Sequence, residues 1–103
     1  MRIFIDDERF PADNSGEWCI VRSSHAAIDL VILQGYPEFI SFDHDLGGED
    51  TSIKFIDWMI NNTLDTGNFT QFPKNFSVHS QNPIGTKNII GKMTGFINFC
   101  QGK

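Results

Sequence analysis

Three short runs of β-forming residues each stop at groups that do chemistry, and this repeated ending constrains the chain more than any other feature. Arg2-Ile3-Phe4-Ile5 runs into Asp6-Asp7, Phe39-Ile40-Ser41-Phe42 into Asp43-His44-Asp45, and Phe76-Ser77-Val78 into His79-Ser80. Short apolar runs of this kind read as buried strands of a parallel sheet. Trp18 to Val21 reads as a further strand. Residues 8–16 before it, with Pro11, Asn14 and Gly16, are too broken for a helix, so a loop replaces the first crossover helix.

Three other segments carry helical spacing. Ser23 or Ser24 caps a segment with Ala27, Ile28, Val31 and Ile32, which ends at Gly35. Thr51 caps a second, in which Ile53, Ile56, Ile60 and Leu64 share one face with Met59 beside them, while Lys54, Asp57 and Asn61 mark the wetter side. Asn82-Pro83 opens a third, carrying Ile89, Ile90, Met93, Phe96 and Ile97. Gly91 and Gly95 weaken it by about 1 kcal/mol each relative to Ala unless close packing needs them. The stretch from Thr63 to Asn75, with Gly67, Pro73, Phe69 and Phe72, is long for a connection and reads as a lid or a surface loop.

Strands alternating with helices predict an α/β fold in one domain, residues 1–103: a small three-layer unit whose four-stranded parallel sheet is covered on both faces by three helices. Right-handed crossovers favour the flavodoxin-like order 2-1-3-4. Ten Phe residues make a dense core possible without metal or disulfide. Cys19 and Cys100 lack the close spacing of a zinc or redox motif and read as small buried hydrophobes. No charged-then-apolar leader opens the chain, and no apolar run approaches the roughly 18 residues of a membrane span. The expectation is a cytoplasmic protein with no membrane partner.

In a parallel sheet, ligands bind beyond the carboxyl ends of the strands, near the switch point of the strand order. The three chemical endings therefore converge. Of thirteen acidic residues, three fall in 6–8 and four in 43–50. Carboxylates crowded without a cation have raised pKa values and oppose folding. A hard divalent cation, Mg2+ first and Mn2+ as the alternative, held by Asp6, Asp7, Asp43 and Asp45, resolves that conflict. Solvated loops and caps suit Glu49, Asp50 and Asp13 better, and Asp45 is equally suited to orienting a histidine. His44 and His79 stand at strand ends where a general acid and base straddle a phosphate, although either can also bond within its own loop; His25 is structural or exposed. Ser80, Asn82, Gly85 and Lys87 couple a strand end to a helix start, where free amides and the helix dipole favour an anion. Arg22 closes the second strand and reaches the same edge, whereas Arg9 braces its loop. Eight basic residues against thirteen acidic give a net charge of -5, so no broad nucleic-acid-binding surface is expected and a phosphate ligand needs this local device.

Over most of its length the chain resembles the cyclic-phosphate processing receiver domain, a small receiver-like family found among bacterial and phage proteins. The matching motifs are Asp6-Asp7-Glu8-Arg9 with Pro11, Trp18 with Arg22, Phe42-Asp43-His44-Asp45-Leu46-Gly47, and His79-Ser80 with Asn82, Pro83 and Gly85. The resemblance implies a receiver-like Rossmannoid fold and action on cyclic phosphates of nucleotides or RNA ends. By the parallel with signalling receivers, Asp6 and Asp7 look like the metal-binding acidic pair, Asp43 like the phosphoacceptor and Ser80 like the hydroxyl residue after the fourth strand. The lysine-bearing fifth strand has no counterpart and two histidines are added, which weighs against phosphorelay. A toprim-type nuclease, suggested by Asp43-x-Asp45, expects a glutamate where Asp6-Asp7 stand. The leading expectation is a metal-dependent phosphoesterase in which His79 and His44 exchange protons and Asp43 is a ligand or the nucleophile. Its partner is a small phosphorylated or cyclic nucleotide ligand, or an RNA terminus. The alternative is a non-enzymatic module that binds a phosphorylated ligand or a protein partner, using its acidic surface and the aromatic segment from Phe69 to Phe76.

Overall fold

The computed structural model describes residues 1–13 and 16–103. Strands β1 (Arg2–Ile5), β2 (Trp18–Val21), β3 (Phe39–Phe42) and β4 (Asn75–Val78) form one parallel sheet in the order β2-β1-β3-β4. Helices α1 (Ser24–Gln34), α2 (Ser52–Thr66) and α3 (Pro83–Gln101) complete the α/β receiver-like fold, with one 3-10 turn at Phe69–Gln71. Strand order, parallel pairing and helix count are those expected from the sequence.

The register makes the strands end level. Ile5 lies opposite Val21 and Phe42, and Phe42 opposite Val78. The ladder continues one residue further: the Asp6 amide donates to the Val21 carbonyl (3.1 Å), Asp43 to Ile5 (2.9 Å) and His79 to Phe42 (2.8 Å). Those three bonds fix the backbone of the first chemical residue beyond each strand.

Side chains alternate across a strand, so Ile3, Ile5, Val21, Ile40 and Phe42 share one face. All are buried, in a core with Ala27 and Val31 of α1, Phe55, Ile56 and Met59 of α2, and Ile89, Met93 and Phe96 of α3. Arg2, Phe4, Trp18, Phe39 and Ser41 take the other face. The expected helical cover of both faces is realised on one only, and connection geometry explains why. The crossovers from β2 to β3 and from β3 to β4 travel in the same direction across the sheet, so right-handedness places α1 and α2 on the same side, where α1 packs on α2 and α2 on α3. The β1–β2 connection travels the other way, and as expected its described residues form no helix. Its Phe10 and Pro11 line a shallow cavity with Trp18 and Ile20, so the third layer is loop and aromatic side chains. Trp18 meets Phe4 and Phe39 edge-on, each at 5.9 Å between ring centroids, with the Arg2 guanidinium 4.0 Å above it.

Ser23 caps α1, its Oγ accepting from the Ala26 amide at 3.0 Å. α2 departs from the expected stripe: it buries Ser52, Phe55, Ile56, Met59 and Thr63, and leaves Leu64 49% exposed. This helix packs against α1 and α3, and Thr63 meets the Tyr36 hydroxyl at 2.7 Å, so neighbours rather than the isoleucine spacing set its buried face. The long connection after α2 is no lid to the strand ends. It feeds the start of β4, at the opposite edge of the sheet, and Phe72 bolts it into the core edge-on to Phe96 at 4.8 Å. Cys100 is buried and Cys19 half-buried, both unpaired. Among the described residues no helix is long and apolar enough to cross a membrane.

Gly91 and Gly95 have open space where a Cβ would stand, so close packing does not require them. Gly91→Ala and Gly95→Ala are each expected to stabilise the fold by about 0.5–1 kcal/mol, raising Tm by roughly 4–8 °C per kcal/mol. Gly85→Ala runs the other way, because its Cβ would overlap the His44 ring. Urea and thermal unfolding of the three variants test this; loss of stability in either helix-interior variant would contradict the packing described.

Candidate functional site at the carboxyl edge of the sheet

Asp6 is the first residue beyond β1 and its carboxylate is fully buried. Oδ1 accepts the amides of Glu8 (2.9 Å) and Arg9 (2.8 Å), folding the chain back on itself as it leaves the sheet. Oδ2 accepts from Arg9 Nε at 2.9 Å and lies 3.0 Å from His79 Nε2. Burial pushes this carboxyl up, but the amides of Arg9 and Glu8, the His79 ring and the Arg9 charge outweigh it and hold the pKa below the ordinary carboxylate value.

Arg9 sits between two strand ends. Its Nη2 reaches Asp43 Oδ2 at 3.4 Å and donates to the His79 carbonyl at 3.2 Å. Arg22, expected at the phosphate, instead donates through Nη1 to the carbonyls of Asp6 (3.0 Å) and Arg9 (2.6 Å), and its guanidinium lies over Phe10. The two arginines therefore hold each other's expected places: Arg9 meets the carboxylates and Arg22 braces the loop.

Asp43 is largely buried; Oδ1 accepts the His44 amide at 2.9 Å, and its carbonyl accepts the Ser52 hydroxyl. Asp6, Asp7 and Asp43 each offer one carboxylate oxygen, all within 4.8 Å of one another. Asp45 stands outside that group. Its Oδ1 lies 3.0 Å from His44 Nδ1 and its Oδ2 accepts from Asn82 Nδ2 at 3.2 Å, bonds that hold its pKa low.

The histidines reach the same edge, turned into the protein. His79 stacks on Phe4 at 4.4 Å, with Nδ1 2.7 Å from Ser41 Oγ and Nε2 on Asp6. Ser77 Oγ donates in turn to Ser41 Oγ at 3.2 Å. Both ring nitrogens are thus engaged, and the ring positions Asp6. His44 lies against Gly85, its Nδ1 held by Asp45.

These endings enclose an open cavity of about 600 Å³. Asp7, Glu8 and Arg9 line it from β1, Asp43, Asp45, Gly47 and Gly48 from β3, and Ser80, Gln81 and Asn82 from β4. Gly47 and Gly48 have φ of 92° and 58°, a left-handed pair that only glycine adopts at low cost. The turn they make is closed by the Leu46 amide on the Asp50 carbonyl (3.0 Å) and brings Gly47 against Asp7. Asp50 itself caps α1 through the Ser24 amide at 2.9 Å.

At the head of α3, Asn82 Oδ1 accepts the Gly85 amide at 3.0 Å, and the Asn82 amide donates to Ser80 Oγ at 3.1 Å. Of the residues expected to bind phosphate, Ser80 and Asn82 line the cavity. Gly85, Lys87 and Arg22 do not: the Gly85 amide is used by the cap, and Lys87 lies in a separate depression with Ile53 and Lys92. Glu8 and Ser41 were not among the expected site residues, and Arg9 was expected only to brace its loop. Ser41, a lone hydroxyl in an apolar strand, was the available signal for a buried polar partner. As a donor set, three clustered carboxylates, with Asp7 exposed and Asp43 in the cavity wall, fit Mg2+ or Mn2+.

His79→Phe keeps an aromatic ring on Phe4 but removes a donor from buried Asp6 and the partner of Ser41. The expected loss of stability is about 1–3 kcal/mol, read by urea unfolding; an unchanged midpoint would mean that His79 does not hold Asp6.

Neither a curated protein nor a solved structure matches the chain significantly. A family model described as the cyclic-phosphate processing receiver domain matches residues 1–95. Acidic strand ends gathered at the edge of a 2-1-3-4 parallel sheet are the arrangement that the match covers, and the chain belongs to the cyclic-phosphate processing receiver domain family.

Proposed function

We propose that the protein is a divalent-cation-dependent phosphoesterase that opens a cyclic phosphate on a nucleotide or an RNA end. The observation that carries this reading is the charge of the cavity. Asp7, Glu8, Asp43 and Asp45 line it against Arg9, the one cationic side chain among its described lining residues. Four carboxylates repel a phosphate, so an anionic ligand needs a local cation that offsets most of that charge and offers its oxygens a direct contact. Asp7 and Asp43, with Asp6 behind them, are the residues that would hold the cation. When bound, it supplies neutralisation of phosphate charge and activation of the attacking water.

The chain's own groups do the rest. Ser80 Oγ and the Asn82 side chain, at the head of α3, offer hydrogen bonds to phosphate oxygens, and Arg9 adds a guanidinium. His79 fixes Asp6 and thereby the geometry of the acidic cluster. Asp45 holds His44 and Asn82 and so ties the β3 loop to α3. The cavity volume suits one nucleotide better than a duplex, and the net charge of -5 speaks against an extended nucleic-acid track.

One observation favours a second reading. Neither histidine lines the cavity, which suits a module that captures a phosphorylated ligand or a protein partner without turnover. A screen of 2′,3′- and 3′,5′-cyclic nucleotides and of RNA ending in a cyclic phosphate, with Mg2+ or Mn2+, separates the two. Turnover that needs metal and falls on the order of 100-fold in kcat/KM in Asp7→Asn is the expected result; Asp7 is exposed, so the variant keeps its fold. Binding of any of these ligands by the wild type without turnover assigns the chain to the capture module.

A further inference from the structure

We propose that Arg9 and the divalent cation are alternative occupants of the same carboxylates, so that cation loading displaces the guanidinium from Asp6 and Asp43. This rests on the reading of Asp6, Asp7 and Asp43 as the cation site. Asp6 has no exposed surface, and each of its oxygens already accepts two donors. Of those donors, the amides of Glu8 and Arg9 belong to the backbone turn and the His79 ring is clamped between Phe4 and Ser41. The Arg9 side chain, 43% exposed, is the one free to leave.

The same guanidinium bridges to Asp43 Oδ2 at 3.4 Å. A hard cation sits about 2.0–2.1 Å from its ligand oxygens, which places it against the Arg9 donors on both carboxylates. Two like charges on those oxygens repel at that range, which favours one occupant over both. The inward position of Arg9 also explains how buried acids persist without metal: the chain carries its own cation. Once displaced, the guanidinium stays at the wall of a cavity that it already lines, where its planar donors suit a phosphate. Metal then precedes anion in the order of binding.

Competition of this kind is a negative coupling, and removal of the competitor raises affinity for the other occupant. Mn2+ alone, titrated calorimetrically into wild type and Arg9→Gln, is expected to bind the variant at least about tenfold more tightly. Because that variant leaves Asp6 short of a donor, a second measurement uses the unaltered protein: the Arg9 Nε–H NMR signal, held by Asp6, is expected to shift and lose protection from exchange at saturating Mg2+. Equal or weaker Mn2+ binding in a folded Arg9→Gln, or an Nε–H signal unmoved while Mg2+ saturates the wild type, overturns the competition and leaves the cation site standing. Absence of Mn2+ binding to both proteins overturns the cation site itself, and the inference with it.

Discussion

The Asp6 carboxylate is the interaction on which the edge of this sheet depends. A carboxylate without exposed surface costs several kcal/mol in lost hydration unless its oxygens are saturated and its charge is met. Here the saturation comes from separate parts of the chain: the turn that follows β1, the Arg9 side chain and the residue beyond β4. Ser41 on β3 steadies the last of these, and Arg22 at the end of β2 holds the backbone of the turn. All four strands thus contribute to one buried charge. The network exists only while the strands end level, and the level ending is set by the aliphatic face that packs on the helices.

The two faces of the sheet divide the labour. One is a packed hydrocarbon layer of Ile3, Ile5, Ile40 and Phe42 under three helices. The other carries Phe4, Trp18 and Phe39 with Ser41, and it is this face that supports the site. Phe4 is the floor on which the His79 ring lies flat, at an interplanar angle of 5°. A helix in the β1–β2 connection would stand over that layer; the loop instead turns back on Asp6 and delivers Arg9 to the strand ends.

Most of the architecture was legible because its signals are local. A short β-forming run that meets carboxylates marks a strand end, a Ser or Asn before a periodic segment marks a helix start, and right-handed crossovers then leave few strand orders. The direction of a side chain after a strand end is not local. Arg9 and Arg22 are both cations near the edge, and only the turn anchored on Asp6 decides that the first faces carboxylates and the second faces carbonyls. His44 and His79 were placed correctly at the edge, yet their rings are claimed by Gly85 with Asp45 and by Ser41 with Asp6, partners up to 73 residues away. The buried face of α2 was placed only in part for the same reason: Ile56 and Met59 are buried as expected, but Leu64 is exposed and Phe55 and Thr63 are buried, because the helix answers to α1 and α3, which its own periodicity does not encode.

On the proposed reading, an acidic chain has to receive phosphate, a contradiction that geometry has to resolve. Uniform basicity would resolve it at the cost of indiscriminate binding to polyanions. This sequence keeps its net charge at -5 and concentrates carboxylates at the cavity beyond the strand ends. On the proposed reading, a small cation held by those carboxylates would offset most of their charge and offer one phosphate a direct contact, an attraction that fades within about 10 Å at ordinary ionic strength, so a long nucleic-acid strand would gain nothing from the rest of the surface. Arg9 meets the same electrostatic demand from within the chain. On the proposed reading, whichever cation occupies the carboxylates, the charge that offsets the buried acids would also be the charge that meets the ligand.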